Sequence, residues 1–120
     1  MLDAESAILK RIESRLPLGE NIWTYPVGAG QWPQASVLVA LTTEAEPSVL
    51  LGRRAAHLPL HPGEIAFAGG KREAIDLSPW QTAMREALEE VGLPAELINP
   101  LGELEPLITR TGFEVFPCVA

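Results

Sequence analysis

The sequence predicts an α/β domain, on three observations. A well-punctuated helix lies between Ser78 and Gly92, a second amphipathic segment runs from Asp3 to Leu16, and short apolar, β-branched runs occupy 35–42, 48–53 and 113–120. With 120 residues, 47% of them hydrophobic, the chain suffices for a single domain, 1–120, with a modest core.

From Asp3 to Leu16, the residues Ala4, Ile8, Leu9, Ile12 and Leu16 recur at helical spacing, with Asp3 as cap and Pro17 as stop. Asn21 to Gln34 is broken by Pro26, Gly28, Gly30 and Pro33 and reads as a loop. Its Trp23, Tyr25 and Trp32 either pack over the core or border a ligand. Ala35 to Thr42 reads as a buried strand, 44–47 as a turn, and Ser48 to Arg53 as a second strand antiparallel to the first. Gly63 to Phe67 is a short strand that delivers the chain to a glycine loop at Gly69 and Gly70.

The helix that follows marks its own ends. Ser78 is an N-cap, Pro79 suits the first helical position because its missing N–H would have no partner there, Gln81 completes a Ser-x-x-Gln capping box, and Gly92 stops the helix. Pro94 to Leu97 forms a turn of helix, Leu101 to Thr109 contains a strand despite Pro106, and Thr111-Gly112 marks a turn. Phe113 to Ala120 begins a last strand. It reaches the end of the sequence with no partner downstream, an edge through which a homodimer would pair.

Composition excludes several function classes. The net charge is −7, with 9 basic against 16 acidic residues, so a general nucleic-acid or anionic-membrane surface is not expected. No apolar run approaches the ~20 residues of a membrane span. Asp3 and Glu5 stand where a secretory signal would be positive, so a cytoplasmic protein is expected. Cys118 is the only cysteine, which rules out an internal disulfide, and its apolar surroundings read as those of a buried small hydrophobe. His57 and His61 have metal-compatible spacing but lie between Pro59 and Pro62 with no third ligand near, and read as loop-surface histidines.

Chemistry concentrates on the second helix. At ~100° per residue, Trp80, Ala83, Met84, Ala87, Leu88 and Val91 form an apolar face, while Glu86, Glu89 and Glu90 gather on the opposite and flanking arc. Such carboxylates repel one another by ~0.2–0.5 kcal/mol per pair and sit at the negative end of the helix dipole. A bound divalent cation would reverse the sign of that field, and hard oxygen ligands suit Mg²⁺ or Mn²⁺. Glutamates near a helix end are also common on solvated surfaces; the adjacent Gly69-Gly70, which lets backbone approach a ligand, favours the site. Lys71 and Arg72 either neutralise substrate phosphate or offset Glu73 and Asp76. Arg53 and Arg54 leave the second strand's end, one as a phosphate contact or both as solvated or ion-paired side chains.

This stretch resembles the Nudix box, Gly-x5-Glu-x7-Arg-Glu-apolar-x-Glu-Glu-x-Gly-apolar, whose second half is matched by Arg85, Glu86, Ala87, Glu89, Glu90, Gly92 and Leu93. Its first half has one extra residue. The coenzyme A pyrophosphatase-like branch of the family resembles this form, with Gly69, Gly70, Glu73 and Asp76 matching its Gly-Gly-x-x-acid-x-x-Asp. Upstream, Leu50, Leu51, Arg54, Ala55, Gly63, Phe67, Gly69 and Gly70 match that branch in register, whereas Gly52, Pro59 and Ala68 depart from it.

The resemblance implies a Nudix-type α/β/α sandwich with a mixed sheet, shortened at its C-terminus relative to longer family members. It implies metal-dependent hydrolysis of a diphosphate bond in a small nucleoside-diphosphate-linked substrate, most like coenzyme A or its derivatives. Glu86 and Glu90 become the leading metal ligands, with Glu89 a third ligand or the group that activates water, and Gly70 offering its carbonyl. Arg85 becomes an organiser that clamps a neighbouring carboxylate such as Glu73, and Arg54, Lys71 and Arg72 the substrate contacts. The alternative is a non-catalytic metal- or nucleotide-binding module that acts through assembly.

Overall fold

In the computed structural model, which describes residues 7–17, 22–23, 26–28, 30–53 and 63–120, the chain is a mixed sheet with a helix on each face. Chain order is α1 (Ala7–Arg15), β1 (Gln34–Val39), β2 (Gly52–Arg53), β3 (Ile65–Ala66), β4 (Ala68–Lys71), α2 (Pro79–Val91), a 3-10 turn at Ala95–Leu97, β5 (Gly102–Glu103), β6 (Leu107–Ile108) and β7 (Glu114–Val119). The main sheet runs β4-β1-β7-β5, with β6 sharing the outer side of β7. β1 and β7 are parallel, from Gln34 opposite Glu114 to Val39 opposite Val119, and β4 joins β1 antiparallel.

Alternation along the strands divides the core in two. Leu38, Ala68 and Cys118 face α2, where they enclose Ala83 and Ala87, with Trp80 and Val91 packed alongside. On the reverse face Val119 and Leu101 enclose Leu9 of α1, joined by Ile12, Leu16, Val39 and Leu41. Small residues on α2 let the helix lie close to the sheet. Met84 is half-buried, but Leu88, read as part of the apolar face, is 55% exposed, and Thr82 is fully buried in its stead.

Several sequence expectations are corrected. The final strand is not an edge: β7 lies inside the sheet, bonded to β1 on one side and to β5 and β6 on the other, so it offers no free edge for a homodimer. Its apolar composition reflects burial between upstream partners. The stretch 101–109, expected to contain a strand, contains two short ones, on either side of Pro106, which cannot donate to a ladder. The 48–53 segment does turn back on the first strand through the Leu41–Val49 bridge, but its regular part, β2, pairs with β3 in a separate two-stranded sheet. Asp3, Ala4, Tyr25, Arg54, Ala55, His57 and His61 lie outside the described residues.

The glycine pair is also not a loop. Gly69 and Gly70 belong to β4, the outermost strand beside β1. A Cβ on Gly69 would come within 2.8 Å of the Val37 backbone, so glycine is what permits this pairing. Cys118 is fully buried, and burial, with the nearby Glu103 charge, pushes its thiol up to about 12, as suits a packed rather than reactive cysteine.

Leu38 is 1% exposed at the centre of the α2-facing core. Leu38→Ala is expected to cost about 2–5 kcal/mol, read as a lower urea midpoint with an unchanged denaturant slope.

Candidate metal–phosphate site

The helix that carries the carboxylates is anchored at both ends. Ser78 is extended at the N-cap and its hydroxyl accepts from the Gln81 backbone N–H, while Gly92 takes the left-handed conformation (φ 68°), its N–H donating to the Leu88 carbonyl and that of Leu93 to the Ala87 carbonyl. The capping box closes one residue further out than expected, since Gln81 Oε1 accepts from the backbone of Leu77.

Upstream of this cap, the Lys71–Ser78 turn folds Asp76 inward until it is 5% exposed. Asp76 Oδ1 accepts from Arg85 Nε at 3.0 Å and Oδ2 from Arg85 Nη2 at 2.9 Å, a bidentate fork. Oδ2 also accepts from the Glu73 backbone N–H and the Thr82 hydroxyl, both at 2.9 Å. Burial alone would push the Asp76 carboxyl up; these hydrogen bonds and the Arg85 charge outweigh it and hold the group below its ordinary value. The fork likewise raises Arg85 above its ordinary value.

Arg85 is the hub of the site. Nη1 lies 2.9 Å from Glu86, 3.2 Å from Glu73 and 3.6 Å from Glu89, and Nη2 donates to the Lys71 carbonyl at 3.1 Å. The expected Glu73 clamp is present, but Asp76 takes the stronger share. A Cβ on Gly70 would stand 2.6 Å from the Glu86 carboxyl carbon, so this carboxylate rests against bare backbone. Glu89 and Glu90 are exposed.

The predicted site residues are thus partly gathered. Arg85, Glu86, Glu89 and Gly70 converge; Glu90 lies on the same helix, one turn beyond Glu86. Lys71 and Arg72 separate: Lys71 Nζ lies 5.3 Å from the Phe113 ring centroid, whereas Arg72 donates to Gln34 Oε1 at 2.7 Å and lies over the Trp23 ring at 4.9 Å. Arg72 is therefore engaged within the protein. Among the described residues no three His, Cys, Asp or Glu side chains close into a metal cage.

Two participants were not legible as site residues. Thr82 links Asp76 to the helix, and Trp23 Nε1 donates to the Thr82 hydroxyl at 3.2 Å while its ring meets Phe116 edge-on at 4.9 Å. For Thr82 the signal was a polar residue six positions after Asp76 and one turn past the cap; for Trp23, 59 residues away, spacing offers none.

Asp76→Asn should destabilise the fold by about 2 kcal/mol or more, less than the roughly 3–5 of a fully enclosed pair because Glu73 and Glu86 remain beside Arg85. The carboxyl is held below its ordinary value, so its contribution is complete above the unfolded-state pKa of about 3.9 and is lost as pH falls through the folded one. Thermal melts across this window should show a steeper acid loss in the parent than in the variant.

A family model of the NUDIX domain matches residues 32–117. The Nudix hydrolase NudL of Yersinia pestis (strain Pestoides F) is 40% identical over 115 residues, covering 95% of this chain and 58% of NudL, and NudL of Yersinia pseudotuberculosis (serotype O:3, strain YPIII) gives the same values. The chain therefore spans 58% of the length of these curated relatives. Among solved structures, the Nudix hydrolase RenU of M. smegmatis superposes with a TM-score of 0.55 at 25% identity, over 73% of this chain and 61% of RenU. The NUDIX domain of Shewanella oneidensis NrtR, solved with ADP ribose, shares the fold with a TM-score of 0.57 at 21% identity, over 81% of this chain and 65% of that one. With its carboxylate helix and arginine hub inside the matched span, the chain belongs to the Nudix family.

Proposed function

We propose that this domain, 1–120, hydrolyses a diphosphate bond in a nucleoside-diphosphate-linked substrate, in the cytoplasm, with Mg²⁺ or Mn²⁺. The observation that carries this reading is the Glu86 carboxylate resting on the bare Gly70 backbone, oriented by Arg85, which Asp76 in turn holds. Glu86 and Glu90 would hold the metal, with Glu89 and the Gly70 carbonyl as further oxygen donors. When bound, the metal neutralises the charge that develops on the diphosphate and lowers the pKa of the attacking water.

The chain's own groups do the rest. Arg85 keeps Glu86 and Glu89 from splaying apart under mutual repulsion, so the ligands are positioned before substrate arrives. Glu89, exposed next to this cluster, orients and deprotonates the water. Arg54 and Lys71 supply positive charge for the phosphates. Coenzyme A or a derivative is the leading substrate; its support is the upstream match at Leu50, Leu51, Arg54, Ala55, Gly63 and Phe67.

Glu90→Gln should lower metal-dependent turnover by at least the roughly 10–100-fold that loss of an outer metal-site partner costs, with an unaltered melt. A phosphate-release screen over coenzyme A, nucleotide sugars, dinucleoside polyphosphates and nucleoside triphosphates reads this out; unchanged turnover in the variant sinks the assignment. Mn²⁺ binding without turnover on any of these substrates would instead favour the non-catalytic module.

Gly70→Ala provides a second test. The added methyl meets first the movable end of Glu86, so the fold should persist while the Mn²⁺ concentration for half-maximal activity rises about tenfold. An unchanged metal requirement would separate Glu86 from the metal.

A further inference from the structure

Ser36 is fully buried in β1, yet its hydroxyl has no hydrogen-bond partner. An unpaired buried hydroxyl is a net cost to folding, since its hydrogen bonds to water are given up and nothing replaces them. Alanine would avoid that cost at almost the same size. A hydroxyl kept at such a position calls for a role beyond packing.

The register of the sheet narrows that role. Side chains alternate along β1, and Ser36 shares the parity of Leu38, so it lies on the α2 side. Its neighbour on β7 is Phe116, whose ring meets Trp23 edge-on and offers no acceptor. Its neighbour on β4 is Gly70. With no side chain there, the space beside Ser36 belongs to Glu86: a Cβ on Gly70 would stand 2.7 Å from Glu86 Oε1 and 2.9 Å from Oε2.

The two groups complement each other. Arg85 Nη1 donates to Glu86 Oε1 at 2.9 Å, whereas Oε2 has no hydrogen bond among the described residues. Asp76, the buried carboxylate of the same site, has its oxygens answered by Arg85, Thr82 and the Glu73 backbone. The donor lacks an acceptor, and an acceptor one strand away lacks a donor. Directly opposed Cβ positions lie about 4.5–5.5 Å apart, and one bridging water spans about 5.5 Å between the groups it joins. Ser36 and Glu86 are within that reach.

We infer that Ser36 is a positioning residue for Glu86, its hydroxyl donating through one water to Oε2 while Arg85 holds Oε1. This rests on the reading of Glu86 as a metal ligand and adds what aligns it on its buried side. Each carboxylate oxygen has two lone pairs, so one hydrogen bond on each leaves acceptor capacity for a cation. Mg²⁺ tolerates little departure from octahedral geometry, and partners that orient a ligating carboxylate are worth about 10–100-fold in metal affinity.

The test measures Mn²⁺ binding to the whole chain by calorimetry and electron paramagnetic resonance, beside thermal melts without metal, in Ser36→Ala, Glu86→Gln and the double variant. Ser36→Ala should leave the metal-free Tm equal or higher, since an unpaired buried hydroxyl is lost, while the Kd for Mn²⁺ rises about tenfold. A serine with a purely structural role would not give that divergence. In the Glu86→Gln background Ser36→Ala should cost nothing further, because the hydroxyl acts through that carboxylate. In turnover, the Mn²⁺ concentration for half-maximal activity should rise by the same factor, and excess Mn²⁺ should restore kcat.

Mn²⁺ affinity unaltered in Ser36→Ala while Glu86→Gln weakens it, equal losses from Ser36→Ala with and without Glu86, or a metal-free Tm lowered by Ser36→Ala would each overturn the role of Ser36 and leave Glu86 a ligand. Mn²⁺ affinity unaltered in Glu86→Gln would sink the ligand reading and this inference with it. Coupled losses in a chain that hydrolyses no diphosphate would uphold Ser36 and sink the hydrolase reading.

Discussion

The fork between Arg85 and Asp76 is the interaction on which the rest of the site depends. A carboxylate buried to 5% exposure is tolerable only if its charge and lone pairs are answered, and here two guanidinium hydrogen bonds, one hydroxyl and one backbone N–H do so. In exchange Asp76 fixes the loop on the helix: its position determines where Arg85 points, and Arg85 determines where Glu86 and Glu89 rest. Thr82 and Trp23 extend the same constraint into the packing against Phe116.

The consecutive glycines do different jobs for the same physical reason, the absence of a Cβ. At 69 the space belongs to β1; at 70 it belongs to the Glu86 carboxylate. The carboxylates on α2 are unfavourable for the helix alone, near its negative end and near one another, and Arg85 supplies the partial compensation that a cation would complete.

Local signals were read well where a residue's role depends on its neighbours in sequence. Ser78, Pro79 and Gly92 delimit α2 as expected, and Leu9, Ile12 and Leu16 mark the buried side of α1. Readings failed where a distant partner decides. Leu88 fits an apolar stripe by spacing yet is exposed, because the sheet covers only the arc of Ala83 and Ala87 and the loop claims Thr82. Lys71 and Arg72 are adjacent and alike in charge, but one turns to Phe113 and the other to Trp23.

The sequence by itself determined the α/β class, the limits and acidic arc of the second helix, and its metal-compatible carboxylates. These follow from periodicity, capping and fixed spacing, which are short-range. Only the tertiary structure decided that the glycine pair is an edge strand, that Asp76 rather than Glu73 takes the main hold on Arg85, and that β7 lies inside the sheet. Strand order and ion-pair choice are settled by competition among groups brought together from distant parts of the chain. Residues 34–39 and 114–119 acquire their meaning only when they pair.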